Sequence, residues 1–163
     1  MKITQHIVEA KDTLFSFELL PPLKGENIQR IHSTVEKLME FNPSFVDVTY
    51  HREEYVYREV DEGLLEKRTV RKRPGTVGIC AAIHHKYDID TVPHIICGGF
   101  SKEETENALI DLDFVGVDNL LVLRGDPIRS EGRFKAEADG HAYAIDLLNQ
   151  VISMNRGQYL DPD

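Results

Sequence analysis

The residues best suited to chemistry lie where apolar runs break into charge. Residues 120–123, preceded by Val117 across a short polar break, stop at Arg124-Gly125-Asp126-Pro127. A buried strand ending in a cation, a flexible residue, a carboxylate and a rigid turn is how a parallel α/β sheet delivers charge to its carboxyl edge. Taken alone, Asp126 reads as a turn cap and Arg124 as a surface charge. In FSFELLPP, residues 15–22, Glu18 sits near the end of an otherwise apolar strand. There it either pairs with a neighbouring strand or works as an acid or base. Asp47 and Thr49 share one face of FVDVTY, where a threonine ordinarily serves β-propensity. His94 opens VPHIICGG and by itself reads as a satisfied polar group; the paired Gly98-Gly99 permit close approach by a ligand, or only a tight turn. The tandem His84-His85 has no third ligand at useful spacing, so it reads as a helix end favoured by the dipole, and no metal site is expected.

These positions need elements to carry them, and the periodicity supplies four repeats of strand then helix. After a short polar lead, Phe15, Phe17 and Leu19 alternate with Ser16, Glu18 and Leu20, and Pro21-Pro22 ends that strand. A helix over residues 26–41 turns Ile28, Ile31, Val35, Leu38 and Met39 to one face and stops at Asn42-Pro43. Residues 45–50 form the second strand. Residues 51–73 are a mixed-charge run, Arg52, Glu53, Glu54, Arg58, Glu59, Asp61 and Glu62 before the basic Lys67, Arg68, Arg71, Lys72 and Arg73. A solvated loop or exposed helix is the expectation there, with a phosphate-binding arm the alternative. Thr76 caps a helix to about residue 86 with Val77, Ala81 and Ile83 buried. Residues 92–99 are the third strand. Ser101 and Glu104 form a capping box opening a helix that buries Ala108, Leu109, Leu112 and Val115 and ends at Gly116. The fourth strand and a polar loop follow. A last helix from about residue 140 to 154 buries Ala144, Ile145, Leu148, Val151 and Ile152.

Such alternation gives a parallel sheet with right-handed crossovers. No glycine-rich nucleotide fingerprint follows the first strand, which carries FELLPPLKG instead of GxGxxG. Polar residues sit near the ends of several strands instead, Glu18, Thr49 and Asp126, as they do around the mouth of a (β/α)8 barrel. Four units are half of a barrel, whose full length is about 250 residues. The 163 residues are enough for one domain with a real core. A hydrophobic content of 41% and charged content of 29% are those of an ordinary globular protein. A net charge of −9 argues against nucleic acid and anionic membrane as partners. No run reaches the ~18 apolar residues of a membrane span. The first residues lack the apolar stretch of an export signal, and Cys80 and Cys97 read as reduced core thiols, so a cytoplasmic protein is expected.

The four segments FSFELLPP, VDVTYH, VPHIICGG and LLVLRGDP, in this order and at these separations, resemble methylenetetrahydrofolate reductase. The resemblance implies the N-terminal half of a (β/α)8 TIM barrel. It implies a flavoenzyme of one-carbon and methionine metabolism, reducing 5,10-methylenetetrahydrofolate to 5-methyltetrahydrofolate with NAD(P)H through FAD. On this likeness Glu18 matches the general acid, which protonates a ring nitrogen of the folate and leaves an iminium cation to accept hydride. Asp126 matches the aspartate beside the flavin, whose charge stabilises that cation and discourages an anionic reduced flavin. Arg124, Gly125, His94, Tyr50, Tyr143 and Ala144 fall on FAD-contacting positions, and Thr49 on one that contacts the nicotinamide substrate. His51-Arg52 departs from the small residues common in bacterial members.

The resemblance also implies that residues 1–163 are a single, truncated catalytic domain ending before the family's fifth strand. The chain alone is then expected to be inactive, to grip flavin weakly, and either to self-associate through its open edges or to be poorly stable. Two other readings remain: a non-catalytic half-barrel binding a flavin or pterin, and a self-associating assembly module whose polar strand ends form only salt bridges.

Overall fold

A computed structural model describes residues 1–60, 63–128 and 130–161. The chain runs through α1 (Ile3–Glu9), β1 (Ser16–Leu19), α2 (Gln29–Leu38), β2 (Phe45–Val48), β3 (Glu54–Val60), β4 (Leu64–Val70) and α3 (Thr76–Tyr87). It continues through β5 (Asp90–Ile96), α4 (Lys102–Phe114), β6 (Leu121–Leu123) and α5 (Ala144–Met154). Strands β1, β2, β5 and β6 form one parallel sheet in that order, and β3 pairs antiparallel with β4 apart from it. Parallel strands alternating with helices make the fold α/β, a partial TIM barrel. Among the described residues no helix is long and apolar enough to cross a membrane.

Strand alternation splits the sheet into two faces with different tasks. Leu19, Val46, Val48, Ile95, Cys97 and Val122 point one way, into a core with Ile31 and Val35 of α2, Ile79, Cys80 and Ile83 of α3, Leu112 of α4 and Leu147 of α5. The opposite set, Ser16, Glu18, Phe45, Asp47, Asp90, Val92, His94, Leu121 and Leu123, lines the inner face, as the register pairs Ser16 with Phe45, Glu18 with Asp47 and His94 with Leu121. Chemistry is thus segregated from packing by a period of two.

The helix ends follow local signals. At α4, Ser101 Oγ accepts from the Glu104 amide at 3.0 Å while the Glu104 carboxylate accepts from the Ser101 amide at 2.8 Å, the expected capping box. Asn42, at φ 49°, ends the single 3-10 turn after α2 in the left-handed region that asparagine tolerates. Gly75, not Thr76, is the N-cap of α3, and Thr76 is its buried first residue. His84 and His85 do stand at the end of α3, where His84 Nδ1 lies 3.1 Å from the Ile89 carbonyl.

Four further expectations are corrected. The mixed-charge run is neither loop nor helix but the hairpin β3–β4, of which Asp61 and Glu62 lie outside the described residues. Its register sets Tyr57 opposite Lys67 and Arg58 opposite Glu66. Cross-strand pairs of this kind stabilise a ribbon that is wet on both faces and so shows no hydrophobic alternation. Lys67 lies over the Tyr55 ring, Arg68 pairs with Glu66 and Lys72 with Glu54, while Arg71 and Arg73 of the same basic cluster donate to the backbone carbonyls of Arg73 and Pro21. The polar lead holds α1, whose stability comes from tertiary partners rather than propensity. The fourth strand is an edge strand, not a fully buried one, with Leu121 and Leu123 each 38% exposed on the inner face. Finally, α5 begins at Ala144 and buries Leu147 and Gln150, leaving Ile145, Leu148 and Ile152 exposed.

Candidate functional site

Site chemistry gathers on the inner face toward the carboxyl ends of the strands. Glu18 is exposed, and its Oε1 accepts a hydrogen bond from Thr49 Oγ1 at 2.8 Å. Thr49 is held there because its amide donates to the Leu19 carbonyl at 3.0 Å, extending the β1–β2 ladder by one residue. The reach from Glu18 to Thr49 is therefore set by two backbone strands, not by a loop. Asp47 is the register partner of Glu18 and is half-buried. Burial pushes its carboxyl above the ordinary value and the Glu18 charge adds to this, against hydrogen bonding from Ser16 and the field of His94. His94 is buried on the same face but is not the satisfied polar group its sequence context suggests, as its Nε2 has no hydrogen-bond partner among the described residues. A buried ring nitrogen without a partner is a site poised for a polar ligand atom.

At the other edge of the sheet, Arg124, Gly125 and Asp126 follow β6 directly. Gly125 takes φ +82°, and a Cβ there would lie 3.1 Å from Ile96 Cδ1. Glycine is therefore required twice over, for its backbone and for the room. The Arg124 guanidinium stands 5.0 Å from the centre of the Phe134 ring. Together with Pro127, Ala142 and Tyr143 these residues line an open cleft of about 490 Å³. Asp126 is exposed beside it. Tyr143 is exposed as the N-cap of α5 and Ala144 is half-buried as its first residue. Tyr50 belongs to a second cleft of about 280 Å³ with Phe100, Arg71 and Thr76, its ring centre 5.1 Å from that of Phe100. Burial pushes the Tyr50 hydroxyl up, with Glu53 and Glu104 adding to it.

The structure thus joins Glu18 to Thr49 directly and Arg124 to Tyr143 through one cleft. Glu18 and Asp126 lie at the same end of the parallel strands, on opposite edges of the sheet. Three strand spacings separate those edges, about 14 Å if the sheet were flat.

Arg52 went unassigned in the sequence and proves central to this rim. Its guanidinium makes two hydrogen bonds of 3.1 Å to Glu131 and lies 3.9 Å from Glu137, with the side chain only 7% exposed. It lies over the paired glycines, so that a Cβ on Gly98 would be 3.1 Å from Arg52 Nη1 and one on Gly99 3.3 Å from Nε. The close approach those glycines allow is made here by Arg52, which ties the end of β2 to the loop between β6 and α5. The sequence signal was a cation two residues past a strand end; its buried partner, 79 residues away, was not readable. Asp47 was noted only as sharing a face with Thr49.

Comparison with known proteins agrees with the arrangement. The family model described as methylenetetrahydrofolate reductase matches residues 2–161. Methylenetetrahydrofolate reductase (NADH) 1 of Zea mays is 28% identical over 162 residues, covering 98% of this chain and 24% of that protein. The Arabidopsis thaliana protein of the same name is 26% identical over 147 residues, covering 90% of this chain and 22% of its own length. The 5,10-methylenetetrahydrofolate reductase of Salmonella typhimurium is 23% identical over 154 residues, covering 94% of this chain and 46% of that protein. The chain therefore spans about a quarter of the plant relatives and under half of the bacterial one. With a match that runs almost from end to end, and the same partial barrel beneath it, the chain belongs to the methylenetetrahydrofolate reductase family.

Proposed function

We propose that residues 1–163 are the N-terminal half of a catalytic barrel that reduces 5,10-methylenetetrahydrofolate to 5-methyltetrahydrofolate with NAD(P)H and FAD, in the cytoplasm, and that this half is inactive alone. The observation that carries the reading is the Glu18–Thr49 hydrogen bond on the inner face at the carboxyl rim. Glu18 is the acid: exposed to the lumen and oriented by Thr49, it delivers a proton to a ring nitrogen of the folate. Asp126, at the same end of the sheet, supplies negative charge toward the cation left behind. Thr49 has its hydroxyl proton committed to Glu18, so its oxygen remains free to accept from a nicotinamide amide.

The residues present fit a flavin on three counts. His94 Nε2 is buried without a partner, Arg124 borders an open cleft with Tyr143, and Gly125 keeps the backbone thin next to Ile96. Tyr50 and Ala144 complete the set of residues that would hold it. A flavin bound there supplies hydride-transfer chemistry, while the protein orients it and sets its field. The buried thiols of Cys80 and Cys97 accord with a reducing compartment.

The test compares this chain with the same chain extended through a complete barrel, assaying flavin absorbance and NAD(P)H-dependent reduction. Flavin and turnover in the extended protein, with neither in residues 1–163, support the reading. A stoichiometric flavin band or turnover in the short chain overturns the inactivity of this half, and neither property in the extended protein overturns the reductase. A self-associating module is favoured by a separate observation, the exposure of Leu121, Leu123, Ile145 and Leu148 beside a β6 edge that meets no further strand among the described residues. In that case Glu18→Gln alters stability and no chemistry.

A further inference from the structure

We propose that Arg52 is a positioning residue for the cleft beside Asp126. It holds both ends of segment 131–137, thereby fixes Phe134, and through Phe134 sets where the Arg124 guanidinium stands. The contacts run in one line. Arg52 follows β2, and its guanidinium hydrogen-bonds Glu131 twice at 3.1 Å. The same guanidinium lies 3.9 Å from Glu137. Phe134 stands midway between those two carboxylates in the chain, so one cation closes the segment around it. At the paired glycines after β5, a Cβ on Gly98 would meet Arg52 Nη1 at 3.1 Å and Phe134 Cε2 at 3.3 Å. Both side chains therefore pack on one backbone position, and Gly98 leaves the room for them. The Gly98 amide donates to the Arg124 carbonyl at 3.3 Å, which fixes the Arg124 backbone. The Arg124 side chain leaves that ladder and rests on the Phe134 ring, its guanidinium carbon 5.0 Å from the ring centre. Both residues then line the open cleft with Pro127 and Tyr143.

The energetics suit placement better than stability. Segment 131–137 lies in no helix or strand, so no backbone ladder of its own holds Phe134 in place. A guanidinium that grips one carboxylate through two bonds fixes direction as well as distance. The Arg52 side chain is nearly all buried, and taking its charge out of water offsets much of the attraction to Glu131. Its Nε, beside Gly99, has no hydrogen-bond partner among the described residues, which is a further cost. A buried pair with an unmet donor adds little net stability; what it supplies is a defined geometry. Lysine, a point charge on a flexible stem, would not supply the same grip.

This cleft is the one proposed to take the flavin, so the consequence for a cofactor rests on the reductase reading. The placement of Phe134 and Arg124 needs no cofactor, and its test stands apart from that reading.

The experiment is nuclear Overhauser NMR on the 163-residue chain without added ligand. It reads cross-peaks from the Phe134 ring to the Gly98 α-protons and to the Arg124 side chain, and both are expected in the wild type. In Arg52→Gln both are expected to be lost, while the amide signals of β1, β2 and β5 keep their positions. Glu131→Gln leaves the guanidinium its contact with Glu137 and is expected to weaken both cross-peaks; it decides the matter if Arg52→Gln does not fold. An Arg52 that only stabilises the fold would lower the unfolding midpoint and leave both cross-peaks at wild-type strength in the molecules still folded. That result in the deciding variant, or absence of the cross-peaks from the wild type, overturns the proposal. In the extended barrel, Arg52→Gln is expected to raise the Kd for flavin about tenfold, and an unchanged Kd overturns the role in the cleft. A wild-type extended barrel that takes no flavin counts against the reductase, and the ligand-free spectra then decide the placement alone.

Discussion

At the scale of single residues, the inner face puts stability and chemistry in opposition. Asp47 is held above its ordinary value chiefly by burial. A carboxyl raised in the folded state contributes fully below its unfolded value of 3.8, and that contribution is lost as pH rises through the folded value. Asp47→Asn is therefore expected to be more stable than the wild type at pH 7 and no more stable at pH 3, measured by urea unfolding at both. Arg52 works in the other direction. Removing one partner of a buried pair costs roughly 3–5 kcal/mol, and Arg52→Gln is expected near the lower end because Glu131 and Glu137 retain some solvent. Urea unfolding measures that loss, and Glu131→Gln is expected to cost less than Arg52→Gln, because the guanidinium then keeps Glu137 at 3.9 Å. Burial pushes the Cys80 thiol up to about 12, so Cys80 is a packing residue rather than a nucleophile at neutral pH.

At the scale of elements, α1 is held at the amino end of the sheet by polar contacts rather than by a buried face, as it has no buried residue of its own. Asn119 accepts from the Ile3 amide at 2.9 Å and donates to the Met1 carbonyl at 2.9 Å, while the terminal ammonium and His6 both engage Asp90. Burial pushes the Asp90 carboxyl up, yet those two partners outweigh it and hold the group below its ordinary value. Their stabilisation is present above the unfolded value of 3.8 and lost as pH falls through the lower, folded one. Asp90→Asn is expected to release α1 at neutral pH, read as faster hydrogen exchange across residues 3–9 with the exchange of β5 little changed. The turn after β6 is another element-scale dependence. Gly125→Ala places a Cβ against Ile96 at a φ that side chains avoid, which costs about 1–3 kcal/mol and displaces Arg124 and Asp126 from the rim. Thermal unfolding reports the first effect and flavin affinity of the extended barrel the second.

For the whole molecule, the sheet order leaves β1 and β6 each pairing on one side only among the described residues. An unpaired parallel edge flanked by apolar side chains is a template for another strand. Beside β6 a cleft of about 720 Å³ runs between α4 and α5, lined by Leu109, Val122, Leu148, Val151 and Met154. The isolated chain is expected to self-associate at micromolar concentration, measured by light scattering. Leu123→Lys, which sets a charge on the inner side of the edge strand, should restore the monomer. A rigid, monodisperse wild-type monomer counts against edge-driven association.

Much of this was legible because strand and helix periods are local. The alternation in 15–22 already assigned Glu18 and Leu19 to opposite faces, the Ser101/Glu104 box marked the start of α4, and the order of apolar runs dictated a parallel sheet. The β3–β4 hairpin escaped because a ribbon exposed on both faces carries no alternation, and α1 because its partners are Asp90 and Asn119, far along the chain. Sequence alone determined which side chains of the first two strands share a face, since parity along a strand is a property of the covalent chain. Only the tertiary structure decided which of them meet. Pairing Glu18 with Asp47, or Arg52 with Glu131, requires a strand register and a loop path that no local pattern encodes.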